Sequence, residues 1–338
     1  MSGREDARVK LFAKGLPGLR VDYLRDPHAA EAVLGGRGRL GVVGYGGAYV
    51  APSPGLIHVA LEPAAEAPIF EIWHVEDVVE PLRIGSAMGT VSSQYAFAAT
   101  EIADDTGRLL EESVEQAYRD LFLFLQQAGG FQPIRFWNYI NNIADHQDGM
   151  ERYWRFNIGR QSAFEALLRQ DRPPVATGIG CGGPRTLIYV LGARRPAEPV
   201  ENPRQISAYA YPERYGPASP RFSRASRYEG ATLFISGTAS IVGHETRHRA
   251  DFDAQMRETL RNLDLMMRLT EEGCARDGRW AIKTYLRDRA HAATLEEALA
   301  ASLPPGTQYL HLAADICRND LLLEIEAVRC AMVPAADG

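Results

Sequence analysis

Cysteine is scarce in this 338-residue chain: Cys181, Cys274, Cys317 and Cys330 form no CxxC pair and are too few for a disulfide scaffold. No run of roughly 18 apolar residues occurs, so no membrane span is predicted. The opening MSGREDARVKLF carries charges but no apolar signal core. Basic residues are not in excess either. Against 43 Asp and Glu stand 37 Lys and Arg, a net charge of −6, which removes the electrostatic footprint of a nucleic-acid binder. Gly41, Gly44, Gly46 and Gly47 do not fall in a GxGxxG pattern and no helical periodicity follows them, so a dinucleotide loop is missing too. These absences predict a cytoplasmic chain with neither nucleic-acid nor membrane partner. An anionic small molecule would have to be held by arginines gathered locally.

What is present is globular. A composition of 46% hydrophobic and 24% charged residues, at this length, suits two ordinary domains. Residues 1 to about 65 read as strands and turns (LGVVGYGGAYVAP, GLIHVALEP). From about 70 to 197 come strands in APIFEIWHVE and QYAFAATEIA, then a turn at Asp105-Thr106-Gly107. A helix from Leu110 to Gln127 follows, with Val114, Ala117, Leu121, Phe122 and Leu125 at helical spacing. The strand IRFWNYI, a helix around Tyr153 to Gln170, the loop PPVATGIGCGG and the strand TLIYVLGA complete a β-α-β-α-β order.

The second half repeats that order: the strand GATLFISGTASIV, an amphipathic helix from Asp251 to Leu269, WAIKTYL, a helix near Leu295 to Ala301, then YLHLAADI and LLLEIEAV. Ala98 to Gln116 and Gly237 to Gln255 each span 18 residues, with Leu121 and Leu260 five further on. The prediction is an α+β protein with an N-terminal domain over 1–200, whose module covers about 70–197, and a C-terminal domain over 201–334. Between the copies, Glu198 to Ser226 is too aromatic for a flexible linker and reads as functional.

Two stretches carry chemistry. In DICRNDLLLEIEA, Leu321, Leu323, Ile325 and Ala327 recur at period two, so Glu324 and Glu326 share the opposite face. A carboxyl held among leucines is desolvated and can carry a proton near neutral pH; with solvated carboxyls the same stretch is an ordinary edge strand. His244-Glu245-Thr246-Arg247-His248 satisfies HExxH, which on a helix would bind zinc and imply a metallopeptidase. Against that, SGTASIVG reads as a strand running directly into it, and no third ligand is evident.

The EIEA ending resembles the last strand of the RidA-like (YjgF, chorismate-mutase-like) superfamily, whose first glutamate points into the ligand site, here Glu324. A signature of the type SGQ...TG...Q...L is echoed twice, which implies two RidA-like modules. RFWNYI, ERYWRFNIGRQSAF, TGIGCGG, NPRQISAYAYPERYGP, FSRAS and GTASIVGHETRH resemble the chorismatase family of two-domain RidA-like enzymes through most of residues 135 to 330. Members cleave chorismate into pyruvate and a cyclic carboxylic acid.

The resemblance implies Glu324 as the general acid on the enolpyruvyl methylene. It also implies that Tyr153 with Arg160, and Tyr211 with Arg224, hold the two substrate carboxylates, with Arg204, Tyr209 and Tyr215 as second choices. Cys317, seven residues before Glu324, and Gly230 match the members that aromatise the ring to 3-hydroxybenzoate; the alternative is hydrolysis to a dihydroxycyclohexadiene carboxylate. No metal or organic cofactor is implied, and the assembly would be a monomer or a RidA-like homotrimer. Ordinary deaminase-type relatives carry an arginine where this chain has Tyr309, so anion binding must come from elsewhere.

Overall fold

The computed structural model describes residues 18–25, 38–65, 67–104, 107–168, 172–272, 274 and 278–331. Asp105 and Thr106 of the expected turn, Gln170 at the expected end of the second helix, and the N-terminal MSGREDARVKLF lie outside them.

A small sheet comes first. Strands β1 (Arg20–Leu24), β2 (Arg39–Tyr45), β3 (Leu56–Val59) and, after the two-residue β4 (Glu62–Pro63), β5 (Ile69–His74) pair in the order β1-β5-β2-β3. A hairpin of β6 (Glu80–Ile84) and β7 (Ala87–Val91), which the sequence patterning did not reveal, leads into β8 (Tyr95–Ala103). Helix α1 (Leu110–Gln127) follows, then β9 (Gln132–Asn141), the short β10 (His146–Gln147) and β11 (Met150–Glu151), α2 (Arg152–Leu167), β12 (Val175–Cys181) and β13 (Arg185–Ala193). The remainder runs β14 (Glu198–Val200), β15 (Ala225–Tyr228), β16 (Thr232–Thr238), β17 (Ile241–Val242), β18 (Glu245–Thr246), α3 (Phe252–Glu271), β19 (Gly278–Leu286), α4 (Ala292–Ser302), β20 (Gln308–Ala313), β21 (Asp315–Ile316) and β22 (Leu323–Ala331).

The result is mixed α+β with two seven-stranded sheets, ordered β21-β12-β9-β13-β8-β7-β6 and β4-β20-β19-β22-β16-β15-β14. Leaving aside the first strand of each, the pairings correspond in sense: β9 runs parallel to β12 as β19 does to β20, and the other neighbours are antiparallel. The extra edge strands are exchanged. β21 comes from the C-terminal half and pairs with β12, while β4 comes from the N-terminal half, between β3 and β5, and pairs with β20.

Helices cover one face of each sheet because their apolar stripes face inward. Leu110, Val114, Leu121 and Leu125 of α1 are buried where α3 buries Phe252, Met256, Leu263 and Met267, a constant separation of 142 residues. The repeat therefore pairs Leu121 with Leu263, not with Leu260. The two registers differ by three residues, close to one helical turn, which periodicity alone does not resolve. Asp251 caps α3 by accepting from the Ala254 amide. The other faces of both large sheets meet the small sheet in one shared core that includes Tyr45, Trp73, Trp137, Tyr189, Tyr285 and Val328. No helix among the described residues is long and apolar enough to cross a membrane.

Candidate active site

β22 alternates as expected. Leu323, Ile325 and Ala327 enter the core under α3 and α4, which turns Glu324 and Glu326 toward the interior between the sheets, where they are 5% and 2% exposed. A cavity of about 380 Å³ opens above Glu324. Its wall draws on both halves: Tyr153 and Gly178 from the first, Tyr211, Arg224, Cys317 and Arg318 from the second.

Glu324 and Glu326 are not equivalent. Burial, and next the Glu326 carboxylate, push the Glu324 carboxyl from its ordinary 4.5 to about 8, against the pull of Arg135, Arg224 and Arg318. Burial acts to raise Glu326 as well, but Lys283 and Arg135 outweigh it and hold that carboxyl below its ordinary value. Lys283 Nζ lies 3.0 Å from Glu326 Oε1, and Arg135 Nη2 donates to Glu326 Oε2 at 2.9 Å. The Trp137 indole N–H adds a third contact at 2.8 Å. So the strand offers the cavity a carboxyl biased toward its protonated form, backed by one biased toward the carboxylate.

Glu324 can lie there because β16 passes it at Gly237. A Cβ on Gly237 would stand 1.7 Å from Glu324 Oε1, and the Gly237 N–H donates to Thr177 Oγ1 at 3.1 Å.

The rim is cationic and aromatic. Arg224 Nη2 donates to the Tyr211 hydroxyl at 2.7 Å and to the Ile206 carbonyl at 2.9 Å, while its buried Nε has no hydrogen-bond partner. Arg318 lies 4.1 Å over the Tyr215 ring and 5.2 Å from that of Tyr211, and donates to the His244 carbonyl at 2.8 Å. Arg214, also in the lining, meets His244 Nδ1 at 2.9 Å. Burial, and next the nearby Glu324, push the Cys317 thiol up to about 12, so it stays neutral.

Of the residues singled out from the sequence, Glu324, Cys317, Tyr153, Tyr211 and Arg224 meet at this cavity, and Tyr215 joins them. Arg160 does not line it. Seven residues beyond Tyr153 on α2 is about 10 Å along the axis, and its guanidinium turns to Asn157 Oδ1 at 2.6 Å and the Phe156 ring. Gly230 is also elsewhere. It sits at the β15–β16 turn with φ +67°, about 20 Å along the strand from Gly237. Arg204 is bound to Glu258 and, at 2.6 Å, to Asn262 Oδ1, and neither it nor Tyr209 is part of the lining.

Arg318, Arg214 and Gly237 were missed as site residues. Arg318 had a signal in its position beside Cys317. For Gly237 the signal was a glycine inside a strand pattern.

HETRH lies on a hairpin, not a helix. Ile241 pairs with Thr246 and Val242 with Glu245 across the turn, and His248 has φ +57°. The two histidines are not one helical turn apart, and no group of three or more His, Cys, Asp or Glu among the described residues is arranged to hold a metal. That removes the basis for the metallopeptidase reading.

A second cavity, about 330 Å³, opens beside Leu187 on the first large sheet, with Tyr139, Cys181, His58 and Arg185 in its wall.

Residues 71–192 match the chorismatase FkbO/Hyg5-like, N-terminal, family. A 3-hydroxybenzoate synthase from Streptomyces hygroscopicus is 36% identical over 332 residues, covering 91% of this chain and 96% of that protein. A chorismatase from Streptomyces rapamycinicus is 33% identical over 276 residues, covering 76% and 81%. A chorismatase crystal structure superposes with a TM-score of 0.80 at 28% identity, covering 93% of this chain and 99% of the other. Sequence and architecture agree across nearly the whole length, and the chain belongs to the chorismatase family.

Proposed function

We propose that the protein converts chorismate to 3-hydroxybenzoate and pyruvate. The observation that carries this reading is a buried Glu324 carboxyl at the floor of a cavity rimmed by Arg224, Arg318 and Arg214. Glu324 delivers its proton to the enolpyruvyl methylene, and the resulting oxocarbenium ion is captured by the substrate's own ring hydroxyl. That hydroxyl loses its proton on capture, its own bond to the ring then breaks as a neighbouring ring carbon gives up a proton, and the ring aromatises; the oxygen leaves in pyruvate and no water is consumed. Arg224 with Tyr211 grips one substrate carboxylate, and Arg318 with Tyr153 faces the other; guanidinium forks suit both. The neutral Cys317 thiol fills the wall without offering water a strong hydrogen-bonding partner.

The two large sheets are, on this reading, two RidA-like modules in one chain, the first within residues 1–200 and the second within 201–334. Since one chain supplies both walls, no second copy is needed to complete the cavity. No nucleic acid, membrane or organic cofactor enters the reaction, and a cytoplasmic location is expected.

The test is incubation of the purified protein with chorismate, pyruvate being followed by lactate dehydrogenase and the cyclic product by chromatography. Equal amounts of pyruvate and 3-hydroxybenzoate are expected. Pyruvate with a dihydroxycyclohexadiene carboxylate would move the enzyme to the hydrolytic branch, and no pyruvate would end the proposal.

A further inference from the structure

Behind the cavity lies a charged cluster that the proposed reaction does not touch. Lys283, on β19, is 1% exposed and bridges two carboxylates: Glu326 Oε1 at 3.0 Å and Glu71 Oε2 at 2.6 Å. Glu71 is 1% exposed and belongs to β5 of the small sheet, where it also accepts from the Tyr45 hydroxyl at 3.0 Å and the Trp73 indole at 2.8 Å. Arg135, on β9 and wholly buried, supplies the second cation to Glu326 and donates to Thr177 Oγ1 at 2.6 Å. Tyr139 is bonded to Tyr45 and Tyr285 and lies 3.4 Å from Lys283 Nζ, closing the cluster with neutral hydroxyls. Three sheets therefore contribute to one interior ionic group.

The charges cancel before Glu324 is reached. Lys283 and Arg135 are matched by Glu71 and Glu326, so a third carboxylate at Glu324 would have no cation of its own in the dry layer and would face Glu326 two residues along the strand. Its other charged or titratable neighbours are Tyr285 opposite it on β19, Arg224 before β15, Arg318 and Cys317 after β21, Tyr153 on α2 and, across the cavity, Glu151 just before α2. Arg224 and Arg318 line the cavity, where a dianionic substrate would claim them.

We propose that Glu326, by facing it, and Glu71, by holding Lys283, are positioning residues that keep the proton on Glu324, which makes the small N-terminal sheet part of the acid. This rests on Glu324 being the acid of the proposed reaction. The small sheet thereby contributes to catalysis with no residue of the cluster touching substrate.

The experiment is the pH dependence of kcat/KM in the full chain. An acid that must be protonated gives a plateau at low pH and a fall above its own titration. Glu326→Gln removes the facing negative charge, so the fall should move to lower pH by about one to two units. Glu71→Gln leaves Lys283 with charge to spare and should move it the same way by a fraction of a unit. A structural role alone would lower kcat/KM at every pH with the fall in place; that result, or a shift to higher pH, overturns the proposal.

Infrared titration of the unaltered protein is the second measurement, for the case in which a variant does not fold. One protonated carboxyl should be visible at pH 7 and vanish in Glu324→Gln. If it persists there, the proton belongs to another carboxyl and the inference fails. Full turnover by Glu324→Gln would instead defeat the assignment of the acid itself.

Discussion

Leu187 and Glu324 occupy corresponding places in two sheets of the same strand order. Leu187 stands opposite Tyr139, and Glu324 opposite Tyr285, and the two tyrosine hydroxyls meet at 2.9 Å between the sheets. Two residues on, Tyr189 faces Trp137 where Glu326 faces Lys283. Each sheet has a cavity beside this place, about 330 Å³ next to Leu187 and about 380 Å³ next to Glu324. The backbone provides a hollow twice, but only the second places an acid at this pair of strand positions with ions behind; the carboxyl in the first hollow is Glu101 of β8, which accepts from the Tyr49 hydroxyl at 2.9 Å. In the first sheet the matching positions are spent on stacking, Trp137 on Tyr189 at 4.6 Å. Hollow and chemistry are thus separable, and a handful of substitutions on two strands divides them.

Substitution can erase or sharpen this contrast. The largest effect is expected from Glu324→Leu, which gives the second sheet the residue of the first: pyruvate release should fall by about 10²- to 10⁴-fold with an unchanged circular dichroism spectrum. Turnover within tenfold of the parent would remove the contrast. Gly237→Ala comes next, because its methyl would occupy the place of Glu324 Oε1; kcat/KM should fall by about 10²-fold as the acid is displaced.

Lys283→Met leaves Glu71 and Glu326 buried with one cation fewer and should cost about 3–5 kcal/mol in urea unfolding. A loss under 1 kcal/mol would mean that water reaches the cluster.

A pH effect on stability follows from Glu324. The folded chain keeps a proton there that the unfolded chain releases, so rising pH favours unfolding between the ordinary 4.5 and about 8. The melting temperature of Glu324→Gln should accordingly rise relative to the parent across that window and hold steady above it. A gap that does not change with pH would mean Glu324 is already ionised. The smallest effect is that of Gly230→Ala, whose positive φ costs a substituted residue about 1–2 kcal/mol of stability, with turnover and product ratio as in the parent. A changed product ratio would return Gly230 to the site.

Much of this was legible in the residues. The alternation around Glu324 and Glu326 named the face they share, and the stripes of α1 and α3 named the helices. What escaped was non-local. Lys283 reads as an ordinary residue of WAIKTYL and Glu71 as one of APIFEIWHVE, because ion pairing across three sheets leaves no periodic trace. Arg160, implied by the family resemblance, stands seven residues beyond Tyr153 on α2, and a shared helical face does not fix how far along the axis a cavity reaches. Arg318 escaped for the opposite reason: its turn lies between β21 and β22, and only the pairing of β21 with the other sheet brings it to the rim.

That pairing has a consequence for how such a chain can evolve. Asp315 and Ile316 belong to one half by sequence and to the other by hydrogen bonding, and Cys317 and Arg318 follow at once. Exchanging either half for that of a relative would alter the stitch that carries two wall residues, so a chimaera would have to keep β12 and β21 together to keep the cavity.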